Sequence, residues 1–136
     1  MSEHQRFKNK VVIVTGAAQG IGRGVALQSA AEGASVVLVD RSEYVAEVLA
    51  DIKAAGGEAI TINADLETFS GAQSVVVATI EAYGRVDVLI NNVGGAIWMK
   101  PFEEFSEEQI IKEVGRSLFP TLWCCRAVLP EMIKNQ

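Results

Sequence analysis

The chain has 136 residues, enough for one domain of common size, and 49% of them are hydrophobic, which excludes a disordered chain. Twelve Lys and Arg against seventeen Asp and Glu give a net charge of −5, which argues against nucleic acid or an anionic membrane as a partner. One histidine and two adjacent cysteines provide neither a metal-ligand set nor a disulfide framework. Without a signal peptide or a run long enough for a membrane span, we expect a soluble cytoplasmic domain.

Four short apolar runs predict β-strands. They cover Val11–Thr15, Ser35–Val39, Ala59–Asn63 and Val86–Asn91. Each run is nearly continuous in apolar side chains and rich in β-branched residues, rather than alternating with polar residues. Continuous runs are typical of parallel strands that are buried on both faces.

Segments with helical periodicity separate these strands. One is expected to begin with Ser42 as its N-cap and to end at Gly56, and another runs from Ser70 to Gly84. A helix also follows the first strand directly. The predicted elements therefore alternate between strand and helix along the chain.

A last helical region is expected between Ser106 and Met132. Ser106 and Gln109 have the spacing of a capping box, which satisfies the first backbone N–H groups of a helix. Pro120 lies inside this region and should kink it or divide it in two, because proline lacks the N–H that a helix interior requires.

The alternating order predicts an α/β fold. We expect a Rossmann-type parallel sheet, (β-α)4, with strand order 3-2-1-4 and helices on both faces, formed as one domain over residues 1–136. In such sheets ligands bind at the carboxyl ends of the strands, where the strand order reverses, here strands 1 and 4.

A glycine-rich turn, TGAAQGIG, directly follows the first strand and contains Gly16, Gly20 and Gly22. Glycines at a strand-to-helix turn let the backbone approach a pyrophosphate, and the helix N-terminus offers N–H donors to it. A tight turn with close packing of the helix on the sheet explains the same glycines. The spacing is G-x3-G-x-G, which differs from the G-x-G-x-x-G of most dinucleotide folds and from a P-loop.

Asp40 directly follows the second predicted strand, in register with the glycine turn. A carboxylate at this position accepts both hydroxyls of an adenosine ribose and repels a 2′-phosphate, although a neighbour of a helix N-cap or a solvated loop acid is the alternative. Arg41 could pair with a 2′-phosphate, but Asp40 is expected to lie closer to the sugar. We therefore predict NAD rather than NADP as the cofactor.

Four motifs in order resemble those of the short-chain dehydrogenase/reductase family, the last being Ala127-Val128-Leu129-Pro130 with Met132, which is similar to the family's long fifth helix. The turn resembles the family's TGxxxGIG, Asp65-Leu66 its acid near the adenine ring, and NNVG at 91–94 its NNAG. The resemblance extends from about Asn9 to Met132. It implies that the chain is the first, incomplete half of the family's doubly wound fold.

The resemblance assigns the glycine turn to the pyrophosphate of the cofactor. Gly16, Gly20, Ile21 and Gly22 would contact it. Members of the family that prefer NADP often carry a basic residue at the position of Gln19, which is neutral, so this residue again favours NAD.

The remaining motifs would hold the two nucleoside ends. The resemblance implies that Asp40 binds the adenosine ribose, that Asp65 binds the adenine amino group with Leu66 beside it, and that Asn92 and Gly94 line the nicotinamide-side ribose. A helix-start acid and a turn that caps the fourth strand are alternative readings of Asp65 and of Asn92.

Two departures from the family pattern concern catalysis. Ser117 takes the place of an Asn that in the family helps to hold a proton-relay water. The family also requires a Ser and a Tyr-x-x-x-Lys pair, in which the lysine depresses the tyrosine pKa. Neither Tyr44 nor Tyr83 is followed by a lysine four residues later, so we assign no catalytic residue here and expect that set beyond Gln136. The chain alone is expected to be inactive.

Within the family, the segments NNVGGAIW, KPFEEF and RSLFPTLWCCRAVLPEM resemble the cis-dihydrodiol carboxylate dehydrogenases of benzoate degradation. This implies NAD-dependent oxidation of 1,6-dihydroxycyclohexa-2,4-diene-1-carboxylate to catechol with loss of carbon dioxide. The implied partners are a cyclic diol and, in the full-length form, further copies of the chain in a dimer or tetramer.

Two other classes of protein compete with this interpretation. A non-catalytic NAD-binding fragment or module fits the missing Tyr-Lys pair. A Rossmann-like methyltransferase also has glycines after strand 1 and an acid after strand 2, but it explains neither TGxxxGIG nor the NNVG motif.

Overall fold

The computed structural model describes residues 4–136, in which four strands alternate with helices. The strands are β1 (Val11–Thr15), β2 (Ser35–Val39), β3 (Glu58–Ile62) and β4 (Val88–Ile90). The α-helices are α1 (Gly20–Ala31), α2 (Val45–Ala54), α3 (Phe69–Tyr83), α4 (Glu107–Ser117) and α5 (Phe119–Lys134), and a 3₁₀ turn covers Phe102–Glu104. Within the described range, no helix combines the length and the apolar character that crossing a bilayer requires.

The four strands pair in parallel in the order β3-β2-β1-β4, which confirms the predicted topology. Val11 pairs with Ser35 and Thr15 with Val39, so β1 and β2 start and stop level with each other. The glycine turn and Asp40 therefore leave the sheet side by side, at the same edge.

Helices cover both faces of the sheet, as predicted. On one face, Val12 and Leu38 pack with buried residues of α1 and α2. On the other face, Ile13 and Val37 pack with α3 and α5. Because alternate residues of a strand point to opposite faces, β1 and β2 need apolar side chains at nearly every position, which is why their runs are continuous.

The predicted boundaries of two strands were wrong. β4 covers only 88–90 of the predicted 86–91, and side chains take part in the hydrogen bonds at both of its ends. At its start the carboxylate of Asp87 accepts the Val11 N–H, and beyond its end the Thr15 hydroxyl accepts the N–H of Asn92. β3 begins and ends one residue earlier than predicted, at Glu58 and Ile62, and Glu58 pairs with Ser35.

Two helix starts also differ from the prediction, by one or two residues. The N-cap of α2 is Tyr44 rather than Ser42, because Ser42 lies in a turn in which its hydroxyl accepts the Tyr44 N–H at 3.3 Å. α3 begins at Phe69 rather than Ser70, since the Thr68 hydroxyl caps it by accepting the Gly71 N–H at 3.1 Å.

Three other local predictions are confirmed. Gly84 ends α3 in the left-handed conformation, with φ of 75°. The capping box of Ser106 and Gln109 is present with both of its reciprocal hydrogen bonds. Pro120 lies in the first turn of α5 and separates that helix from α4.

Candidate functional site

A cleft of about 350 Å³ lies at the carboxyl edge of the sheet. Eight of the ten predicted site residues line it: Gly16, Gln19, Gly20, Asp40, Asp65, Leu66, Asn92 and Gly94. Of the other two, Ile21 is 77% exposed and Gly22 is buried, and neither lines the cleft. The structure thus brings together residues that follow all four strands.

The N-terminus of α1 opens onto this cleft without a side-chain cap. Its N-cap residue, Gln19, makes no capping hydrogen bond, whereas the hydroxyls of Thr68 and Ser106 cap α3 and α4. Gly16 and Gly20 both have positive φ, 64° and 57°, and a Cβ on Gly20 would meet no atom within 4 Å. An uncapped helix N-terminus with a bare backbone beside it suits an anionic group.

Gly22 serves a different purpose, because it allows close packing beneath the turn. A Cβ on Gly22 would overlap the carbonyl oxygen of Gly16 and would lie 2.6 Å from the side-chain nitrogen of Asn92. Both interpretations of the glycine motif therefore apply, to different glycines. Contact of Gly22 with a pyrophosphate stays a prediction.

Asp40 accepts hydrogen bonds from two backbone N–H groups, one before it and one after it in the sequence. Its Oδ2 accepts the Ala18 N–H and its Oδ1 the Ser42 N–H, both at 2.9 Å. These bonds join the glycine turn to the residues after β2 and fix the orientation of the carboxylate. Each oxygen keeps a lone pair for a further donor, such as a ribose hydroxyl.

The end of the cleft near β2 and β3 is acidic. Asp65 is exposed and its Oδ1 accepts the Glu67 N–H at 3.0 Å, while Leu66 is buried beside it. Glu67 also lines the cleft and lies 3.7 Å from the guanidinium of Arg41. The positive charge of Arg41 is thereby partly balanced by a neighbour within the site.

The residues after β4 are tied to the end of β1 by a buried threonine. The Thr15 hydroxyl accepts the N–H groups of Asn92 and Val93 at 2.9 and 3.2 Å, and donates to the Ile90 carbonyl at 3.3 Å. Thr15 is 1% exposed. The sequence interpretation did not include this role, although a hydroxyl residue at the end of an otherwise apolar strand is a signal for it.

Five further residues line the cleft that the predicted set did not include, besides Arg41. They are Val39, Ala64, Glu67, Val93 and Arg116. Arg116, near the end of α4, brings a second guanidinium to the cleft. The one sequence signal for the presence of Arg116 in the cleft is that it precedes Ser117, which was compared with a family residue.

The fold defines an α/β protein with a Rossmann-type parallel sheet, and comparison with known proteins identifies its family. Residues 10–136 match the family model described as short chain dehydrogenase, so the chain belongs to that family. It is 68% identical over 136 residues to 1,6-dihydroxycyclohexa-2,4-diene-1-carboxylate dehydrogenase of Acinetobacter baylyi, covering 100% of this chain and 52% of that protein. The chain spans about half the length of the curated relatives it matches.

Two solved structures are similar to the fold. One is 7α-hydroxysteroid dehydrogenase complexed with NADH and 7-oxo glycochenodeoxycholic acid, with TM-score 0.90, 32% identity, and coverage of 99% of this chain and 52% of that one. The other is a metagenomic short-chain oxidoreductase in complex with NADP, with TM-score 0.89, 32% identity, and coverage of 95% and 59%. These neighbours confirm the Rossmann-type fold, the chain spans between one half and three fifths of their length, and they include complexes with NADH and with NADP.

Proposed function

We propose that this chain is the NAD-binding part of an oxidoreductase. The observation that carries the proposal is the uncapped N-terminus of α1, which opens onto the same cleft as Asp40. The pyrophosphate would lie at this N-terminus, between Gly16 and Gly20, and the adenosine ribose at Asp40. Asp65 and Leu66 would hold the adenine, and Asn92 and Gly94 the nicotinamide-side ribose.

The charges around the adenosine end favour NAD over NADP. Asp40, Asp65 and Glu67 place three carboxylates there, and a 2′-phosphate would be repelled by them. Arg41, the cation nearest to them in sequence, faces Glu67 at 3.7 Å. Recruiting Arg41 to a phosphate would therefore leave Glu67 without that partner.

When bound, NAD would supply the hydride-accepting chemistry, and the residues of this chain would bind and orient it. Asp40 and the glycine turn would fix the adenosine half. The Thr15 hydroxyl holds the backbone N–H groups of Asn92 and Val93, so it would orient the segment that binds the nicotinamide-side ribose. The groups that move the proton would come from residues outside this chain.

For the substrate we propose a cis-dihydrodiol carboxylate, in line with the name of the relative from Acinetobacter baylyi. Oxidation of the secondary carbinol carbon would transfer its hydride to bound NAD and release the hydroxyl proton to solvent, which would give a β-keto acid. This acid loses carbon dioxide, and a proton shift restores aromaticity in catechol. We propose that the full-length protein acts as a homo-oligomer.

A non-catalytic NAD-binding module is the second candidate, and one observation favours it. Neither tyrosine of the chain, Tyr44 or Tyr83, precedes a lysine at the spacing that the family uses. Such a module would bind NAD in the same cleft and turn over no substrate. The two candidates therefore differ in turnover rather than in binding.

Kinetics of the full-length protein that carries this chain separate the two candidates. We expect NADH formation and carbon dioxide release in equal amounts from 1,6-dihydroxycyclohexa-2,4-diene-1-carboxylate and NAD. The matched control uses NADP in place of NAD, and we expect a lower kcat/KM with NADP than with NAD. NAD binding without turnover would support the module, and turnover without carbon dioxide release would overturn the substrate assignment.

A further inference from the structure

Three polar side chains, one helical turn apart, line one face of α4 and bind the segment that follows β4. They are Gln109, Glu113 and Ser117, and we refer to them as the α4 stripe. Residues four apart on a helix lie on the same face. All three form hydrogen bonds to residues 95–106, so this face of α4 holds a loop rather than a core.

Glu113 makes the central contact of the stripe. Its Oε1 accepts the N–H groups of both Ile97 and Trp98, each at 2.9 Å. Hydrogen bonds to a carboxylate are stronger than those between neutral groups. Two successive N–H groups that converge on one oxygen fix the orientation of the backbone between them, so the carboxylate determines the course of the loop at 97–98.

Ser117 holds the start of the same loop. Its hydroxyl donates to the Gly95 carbonyl at 3.2 Å and accepts the Gly95 N–H at 3.3 Å. Gly95 presents both groups with φ of 131°, a conformation that residues with a Cβ rarely adopt. Because a hydroxyl has one hydrogen, Ser117 in this arrangement cannot also donate to a water molecule.

The far end of the loop is held by Gln109. The ammonium group of Lys100 donates to Gln109 Oε1 at 2.7 Å and to the Glu104 carbonyl at 2.8 Å, and it lies 5.1 Å from the centre of the Phe105 ring. Trp98 meets Phe105 edge to face at 6.4 Å. The loop is therefore anchored at both ends and in the middle.

We propose that Glu113 is a positioning residue that holds the 95–98 backbone as one wall of the substrate site. The loop begins next to Gly94, which lines the cofactor cleft, and it leaves the side chains of Ile97 and Met99 38% and 96% exposed. An apolar wall beside the nicotinamide end suits a carbocyclic substrate. This inference rests on the proposed function for the substrate, while the anchoring by Glu113 rests on geometry alone.

Amide hydrogen exchange in the full-length protein tests the anchor. Glu113→Ala is expected to raise the exchange rates at residues 95–98 by about tenfold or more, because two charge-assisted bonds are lost. Glu113→Gln keeps an acceptor oxygen and is expected to stay within about threefold of the wild type. Glu107→Ala, at an exposed position of α4, is the matched control and should leave these rates unchanged. Unchanged rates in Glu113→Ala, with the β1 amides still protected, would overturn the anchor.

Steady-state kinetics test the positioning role. In Glu113→Ala we expect the KM for the cyclic diol to rise about fivefold or more while the KM for NAD stays within about twofold, with recovery in Glu113→Gln. Equal rises in both KM values, or no recovery, would overturn a role specific to the substrate wall. Absence of diol turnover in the wild type would overturn both the proposed substrate and the role of residues 95–98 in binding it. The exchange rates would still decide separately whether Glu113 anchors the loop.

Discussion

The side-chain amide of Asn92 donates a hydrogen bond of 3.1 Å to the backbone carbonyl of Gly16. Asn92 follows β4 and Gly16 begins the turn after β1, so this bond joins the segments on either side of the point where the strand order reverses. The same amide nitrogen would lie 2.6 Å from a Cβ on Gly22. The turn is therefore held by the hydrogen bond from Asn92, and Gly22 leaves the space that this close packing needs.

Substitution of Gly22 by alanine should disturb this support. The added methyl group would overlap the Gly16 carbonyl oxygen and crowd Asn92, and we expect a loss of about 1–3 kcal/mol in the free energy of unfolding. NADH affinity should fall as well, since the turn itself must shift. Urea unfolding and calorimetric titration measure the two effects.

Gly24 provides the matched control on the same helix. A Cβ on Gly24 meets nothing within 4 Å and its φ is not positive, so Gly24→Ala is expected to stabilise the protein by up to about 1 kcal/mol. Equal effects of the two substitutions would contradict the assignment of Gly22 to close packing.

Replacement of Asp40 by asparagine tests the effect of its negative charge on cofactor binding with little change in the shape of the side chain. Asp40→Asn removes the charge while one oxygen can still accept a backbone N–H, from Ala18 or Ser42. We expect NADH to bind about tenfold to a hundredfold more weakly, because charged hydrogen bonds to the ribose are lost. The preference for NADH over NADPH should shrink.

Asp51→Asn is the control for this change, because Asp51 is an exposed acid of α2 that pairs with Arg23 and does not line the cleft. It should leave both affinities unchanged. If Asp40→Asn retains the full selectivity of the wild type, the ribose is bound elsewhere.

The stability of the fold should depend on pH through Glu32. This residue is 1% exposed, and hydrogen bonds from Arg6 and then Gln28 lower its pKa to about 2. A carboxyl group with a lowered pKa in the folded state stabilises the fold above its ordinary pKa near 4.5, and this contribution is lost as the pH falls towards 2.

Urea unfolding of the wild type and of Glu32→Gln, measured from pH 7 to pH 3, tests this dependence. The difference in the free energy of unfolding between the two proteins should be constant above about pH 5 and should shrink as the pH falls below it. A difference that stays constant down to pH 3 would show that the carboxylate charge is not what stabilises this contact with Arg6.

The central strands could be predicted from sequence because strands buried on both faces form continuous apolar runs. Val11–Thr15 and Ser35–Val39 are apolar at almost every position, and the structure has the same bounds. β4 could not be delimited in this way. At its ends the side chains of Asp87 and Thr15 accept backbone N–H groups, and such contacts depend on the three-dimensional structure.

The position of the candidate site could be predicted from motifs, but the hydrogen bonds that hold the loop beside it could not. The glycine turn, Asp40 and Asn92 could be assigned to one edge because they directly follow strands. The contacts of Glu113 and Ser117 with residues 95–98 were not predicted, since those residues form a loop without regular structure. The partners of the two side chains are backbone groups of Gly95, Ile97 and Trp98, which the sequence does not distinguish.

Calorimetric titration of the wild-type protein with NADH and with NADPH tests the central claim most directly. Three carboxylates at the adenosine end of the cleft, and the ion pair of Arg41 with Glu67, predict that NADH binds at least about tenfold more tightly than NADPH. Equal or tighter binding of NADPH, or binding of neither nucleotide, would contradict the assignment of this cleft to NAD.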